Sequence, residues 1–107
     1  MYGRMGLTVI YCKELQPMVS FYRDALGLTV VAEQEGEFVL DGGGHALLLQ
    51  SRPDRPTRDA ETIFVGADVE TAIKELAALG PVRLEGEESR GFHVQDPEGN
   101  SVCLVND

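Results

Sequence analysis

Tryptophan is absent from this 107-residue chain, and positive charge is scarce. Nine Lys and Arg stand against eighteen Asp and Glu, a formal net charge of −9. So few cations argue against nucleic acid as a partner, because phosphate backbones are bound through Lys and Arg. The same balance suits a cationic small ligand, although acidic surface also serves plain solubility. Cysteine is sparse too: Cys12 and Cys103 form no spaced motif, so a disulfide framework is not offered. Isolated thiols of this kind behave as small hydrophobes. No apolar run approaches the roughly 18–20 residues of a membrane span, and the N-terminus lacks an apolar signal core. These absences set the expectation of a cytoplasmic protein. At 43% hydrophobic and 25% charged, the remainder is ordinary globular composition.

What is present is a repeat. Val9-Ile10-Tyr11-Cys12-Lys13-Glu14-Leu15 opens one unit, and Ile63-Phe64-Val65-Gly66-Ala67-Asp68-Val69 opens a second, with its acidic turn residue 54 positions later. Each opening is a β-rich run, an acidic turn, then a helix-period stretch ending in Leu-Gly (Leu26-Gly27 and Leu79-Gly80). Two copies are too few for a solenoid. They suit two βαβββ modules, Met1 to Ser51 and Ala60 to Asp107, joined by a Pro-containing, charge-alternating linker over 51–60.

The element readings follow from periodicity. Leu7 to Cys12 reads as the first strand. Leu15, Met18, Val19, Tyr22, Ala25 and Leu26 form one stripe at a 3.6-residue period. Pro17 fits a first helical turn and Gly27 a C-terminal cap. Thr29 to Ala32, Glu37 to Leu40 and His45 to Gln50 are strand-like. In the second copy, Thr62 to Val65 precedes a helix with Val69, Ala72, Ile73 and Leu76 on one stripe. Pro81 to Leu84, Gly91 to Gln95 and Ser101 to Val105 close the module. The expected fold class is α+β, one cupped eight-stranded mixed sheet with both helices on its convex side.

Phe21-Tyr22 with Leu26-Gly27, followed by Asp96-Pro97-Glu98-Gly99-Asn100 before the last strand, resembles the vicinal oxygen chelate superfamily. This is the glyoxalase I, bleomycin resistance protein and extradiol dioxygenase group, and the resemblance runs from Leu7 to Val105. It implies a divalent-metal site with one ligand seven residues before each acidic turn and one in the last strand of each half. Those positions read Leu7, Leu48, Glu61 and Cys103 here. Two leucines cannot replace oxygen or nitrogen donors, so no metal and no cofactor are expected.

Strand alternation puts Leu7, Val9, Tyr11, Leu48, Gln50, Glu61, Ile63, Ser101 and Cys103 on a cup face. His93 is a further candidate for that face, and Phe38 a stacking partner for Tyr11. Apolar walls with a few polar points are what a small-molecule pocket requires; the alternative is a narrowed, self-packed cup. Glu61 among apolar neighbours reads as a ligand-pairing charge or a base, against a solvated strand-edge residue. His45 points away from the cup. Arg52, Arg55 and Arg58 read as a solvated linker face, with anion binding as the alternative.

Three functions compete. The first is a metal-independent binding protein of the bleomycin-resistance type, sequestering a hydrophobic or cationic compound. The second is a lyase, isomerase or dioxygenase using Glu61 as base or a displaced metal site of Glu61, Gln50 and His93. The third is a self-filled interaction domain. A homodimer is expected, since small half-domains leave sheet edges open and Phe21 lies off the helical stripe.

Overall fold

The 3.6-residue stripe and the period-2 runs become two βαβββ units in the computed structural model, which describes residues 6–66, 68–78, 83–88 and 91–105. The chain divides into Met1–Thr57 and Arg58–Asp107. Unit 1 holds β1 (Leu7–Cys12), α1 (Leu15–Ser20) with a π-helical continuation over Phe21–Ala25, β2 (Thr29–Gln34), β3 (Glu37–Asp41) and β4 (Ala46–Ser51). Unit 2 holds β5 (Glu61–Val65), α2 (Val69–Ala78), β6 (Arg83–Glu88), β7 (Gly91–Gln95) and β8 (Ser101–Val105).

Each unit builds one four-stranded mixed sheet, ordered β1-β4-β3-β2 and β5-β8-β7-β6. The first strand pairs parallel with the last; the other pairings are antiparallel. The repeat extends to the irregularities. Pairing shifts between Val30 and Ala32 in β2 and between Leu84 and Gly86 in β6, so the skipped residues, Val31 and Glu85, are again 54 positions apart.

In unit 1 the core lies between the sheet and α1. Ile10, Cys12, Phe38, Leu40, Leu47 and Leu49 come from the strands, and Met18, Val19, Phe21 and Tyr22 from the helix. Phe21 is a correction: only 8% exposed, it meets the Tyr22 ring edge-on with centroids 5.2 Å apart. The physical reason is the π-turn. Leu26 N–H reaches back to the Phe21 carbonyl, an extra residue is accommodated, and the stripe widens to take in Phe21. Leu15 and Leu26 are correspondingly only half-buried, as is Ile73 on α2, while Leu76 is buried. Gly27 caps the helix at φ +80°, with Leu28 N–H returning to the Tyr22 carbonyl. The core of unit 2 takes Phe92, Val94, Val102, Leu104 and Leu76. The strand expected at Pro81 to Leu84 is seen over Arg83–Glu88; residues 81 and 82 lie outside the described residues.

The expected linker is no slack tether. Past β4, Arg52 N–H donates to the Cys12 carbonyl, and Arg55 N–H donates to the Arg52 carbonyl across a turn containing Pro53. Thr57 N–H then donates to the Tyr11 carbonyl at 2.8 Å, and Tyr11 N–H donates to Thr57 Oγ1 at 2.8 Å. This doubled pairing covers the open end of β1, an edge strand that would otherwise present unpaired backbone groups.

Candidate functional site

Helices cover one face of each sheet and leave the other open. On the open face of unit 1 the parallel register stacks three rungs: Leu7 beside Ala46, Val9 beside Leu48, and Tyr11 beside Gln50. Unit 2 repeats the arrangement with Glu61 beside Ser101, Ile63 beside Cys103, and Val65 beside Val105. His93 and Gln95 extend the second and first of these rungs across β7. Apolar side chains stand exposed on both faces: Leu7 is 48% accessible, Val9 40%, Ile63 56% and Val65 72%. Burial of such surface is favourable, so each face offers apolar contact area.

Ten of the expected site residues (Leu7, Val9, Tyr11, Leu48, Gln50, Glu61, Ile63, His93, Ser101 and Cys103) occupy these open-face rungs. Phe38 does not. It pairs with Leu49, shares the face of Ile10 and is 8% exposed against the helix side. Counting from Phe38 to Tyr11 across β4 reverses the parity, because Tyr11 pairs with Gln50 and Gln50 with Glu37. Phe38 is therefore a core residue and cannot stack on Tyr11. His45 lies off the open face as expected, its Nε2 2.6 Å from Thr8 Oγ1.

The polar points differ in character. His93 Nε2 lies 3.7 Å from Cys103 Sγ, so thiol and imidazole touch on the middle rung of unit 2. Glu61 is exposed, and the apolar enclosure expected around it is not supplied within its unit. Tyr11 carries two guanidinium groups over its ring, Arg55 with its central carbon 5.2 Å from the centroid and Arg52 at 5.6 Å. Arg52 Nε also donates to Gln50 Oε1 at 3.5 Å, a long hydrogen bond. The sequence placed these arginines on a solvated face; only the backbone pairing of Thr57 with Tyr11 shows that the segment folds back over the sheet end. Two prolines in a six-residue stretch were the one available signal of a fixed turn.

The family is decided by the match over residues 7–105, nearly the whole chain, to the glyoxalase-like domain. The chain belongs to that family. Solved structures agree at the level of fold. A lactoylglutathione lyase from Agrobacterium tumefaciens is 22% identical, with a TM-score of 0.82 over 96% of this chain and 92% of that one. TnmS3, an antibiotic binding protein from Streptomyces sp. CB03234, is 21% identical, with a TM-score of 0.81 over 97% and 95%. A member of the glyoxalase/bleomycin resistance protein/dioxygenase superfamily from Sphaerobacter thermophilus is 18% identical, with a TM-score of 0.79 over 98% of each chain. No curated protein matches the sequence. Resemblance to the vicinal oxygen chelate superfamily is thus confirmed, and fold alone does not choose a reaction.

The glyoxalase-like domain's metal chemistry does not fit the residues present. Leu7 and Leu48, on adjacent rungs of unit 1, offer no lone pair. Unit 2 offers Glu61 and Cys103, also on adjacent rungs, a hard and a soft donor. Among the described residues no three His, Cys, Asp or Glu side chains gather as a metal site. Two protein donors fall short of the three that catalytic metal sites ordinarily use.

The motif Asp96-Pro97-Glu98-Gly99-Asn100, which carried the resemblance, is a structural knot of the domain. The Asp96 carboxylate accepts from the N–H groups of Glu98 and Asn100 and from Asn100 Nδ2. Gly99, at φ +86°, lets the turn close. Asn100 Oδ1 accepts the Ala60 N–H at 3.0 Å, and Ser101 N–H donates to the Ala60 carbonyl, so the β7–β8 turn fixes where β5 starts.

Proposed function

We propose that this glyoxalase-like domain is a small-molecule-binding protein that works without a metal, its ligand an apolar compound held on the open sheet faces. The observation that carries the reading is the makeup of those faces. Leucines occupy two of the four family ligand positions, and exposed Leu7, Val9, Ile63 and Val65 provide apolar contact area. Apolar walls with few orienting polar groups hold a ligand chiefly through desolvation. The description of TnmS3 as antibiotic binding supports it by analogy of fold. The eight-stranded cup and a twofold homodimer belong to the same proposal, since an exposed apolar platform is most readily covered by a second wall.

The test is binding of N-phenyl-1-naphthylamine, a neutral apolar fluorophore, by protein purified without chelator. A saturable fluorescence rise, unchanged by EDTA and weakened about tenfold or more in Val9→Lys, supports the proposal. No saturable binding, or binding abolished by EDTA, overturns it. The enzymatic alternative has one observation of its own, the contact between Cys103 and His93, which pairs a nucleophile with a base. Stoichiometric labelling of Cys103 by iodoacetamide, slowed severalfold in His93→Gln, would favour that reading.

A further inference from the structure

The two units exchange polarity at two rungs: the first is Leu7 beside Ala46 in unit 1 but Glu61 beside Ser101 in unit 2, and the third runs the other way. The third rung is Val65 beside Val105 in unit 2 but Tyr11 beside Gln50 in unit 1. A βαβββ unit can therefore be built with two valines there, so the fold does not itself require a polar pair at this rung. The guanidinium groups of Arg52 and Arg55 lie on that same rung, both over the Tyr11 ring. Among the described residues neither Arg52 nor Arg55 has a carboxylate partner. This occurs in a chain with twice as many acidic as basic residues. Two cations gather at one tyrosine, whose quadrupole compensates a positive charge only in part. An anion at this rung would supply the missing counter-charge.

From this we infer that the third rung of unit 1 is an anion subsite, and that the apolar ligand of the proposed function carries a carboxylate. The inference rests on that binding reading and names the chemical class of its ligand. Planar guanidinium forks match a carboxylate with paired N–H donors, a fit that lysine cannot reproduce. The Tyr11 hydroxyl and the Gln50 amide add neutral donors beside them. The arginines are also held in advance. Arg52 N–H is tied to the Cys12 carbonyl, Arg55 N–H to the Arg52 carbonyl, and Thr57 to both backbone groups of Tyr11, with Pro53 and Pro56 limiting the turn between. A loop ordered by the fold loses little further entropy when the anion arrives. Val9 and Leu48, one rung away, give the carboxylate's apolar body a place to lie. The cationic compound that overall charge suggested is thereby replaced by an anionic one, since two guanidinium groups meet at this rung against the one carboxylate residue, Glu37, that pairs with Gln50 there.

Benzoate is the probe, benzamide its neutral isostere, and inorganic phosphate a bare anion. Titration of isotope-labelled protein should show saturable benzoate-induced shifts at the Arg52 and Arg55 Nε–H signals. Affinity should fall about tenfold or more for benzamide and for the double variant Arg52→Gln/Arg55→Gln, and Arg→Lys replacements should recover only part of it. Both arginines lie in a surface turn, and an unchanged melting temperature checks that the double variant stays folded. Phosphate displacing benzoate at equal concentration would overturn the carboxylate assignment. Benzoate that leaves both Nε–H signals unmoved, or binds the double variant equally well, overturns the subsite. The two proposals fail separately. Naphthylamine binding without arginine shifts sinks the subsite alone, whereas arginine shifts without naphthylamine binding sink the apolar platform and leave the subsite standing.

Discussion

Tyr22 and Asn100 hold their units by different forces, and each can be tested by removal. Tyr22 is fully buried and packs edge-on against Phe21, so Tyr22→Ala should cost roughly 3–5 kcal/mol by chemical denaturation, as for other large buried aromatics. Ile73→Ala, on the half-exposed part of α2, should cost less than about 2 kcal/mol. Equal losses at the two sites would contradict the burial described. Asn100 is 1% exposed, and its amide serves both Asp96 and Ala60. Asn100→Ala would leave the Ala60 N–H without its acceptor, so a loss of roughly 1–3 kcal/mol is expected. A motif that marks the family in sequence is thus, in this chain, a device that fixes the start of β5.

At the scale of elements, α2 is capped and α1 is not. Asp68 accepts the Thr71 N–H at 3.1 Å and the Thr71 hydroxyl at 2.9 Å, whereas Glu14 precedes α1 with no side-chain cap. The backbone bond from Thr71, followed by its hydroxyl, lowers the pKa of Asp68. A carboxylate depressed in the folded state stabilises above its unfolded pKa of about 3.9, and that contribution is lost as pH falls through the folded value. The cap therefore works at neutral pH and fails only in acid. Carboxyl NMR titration should place Asp68 below the ordinary aspartate value, and Thr71→Ala should move it only part of the way back, because the backbone donor remains. No movement would mean that the hydroxyl contributes nothing.

For the whole molecule, metal and assembly are the properties to measure. Leucines at two family ligand positions lead us to expect that EDTA leaves the melting temperature unchanged. A fall of several degrees would reveal a cation whose binding contributes to folding. The dimer we propose should give a light-scattering mass near twice 11.7 kDa at micromolar concentration; the monomer mass would end that proposal. Phe21 no longer argues for it, since the monomer buries that ring. The exposed Val31 and Val65 remain as apolar surface for a partner. Among the described residues no helix is long and apolar enough to cross a membrane.

Periodicity and the 54-residue repeat determined the element order, the helix stripe, the strand faces and the family, because side-chain period and turn chemistry are local properties of the chain. The strand face of ten proposed site residues was legible for that reason: alternation within a strand needs no partner. Phe38 was not, because its face depends on how β3 registers against β4, and a shift of one residue exchanges the faces. Phe21 was not, because one extra residue in a π-turn rotates the stripe after it has been read at 3.6. The arginines over Tyr11 were least legible of all. Their place is set by hydrogen bonds between Thr57 and Tyr11, 46 residues apart, and only the tertiary structure closes a loop of that length.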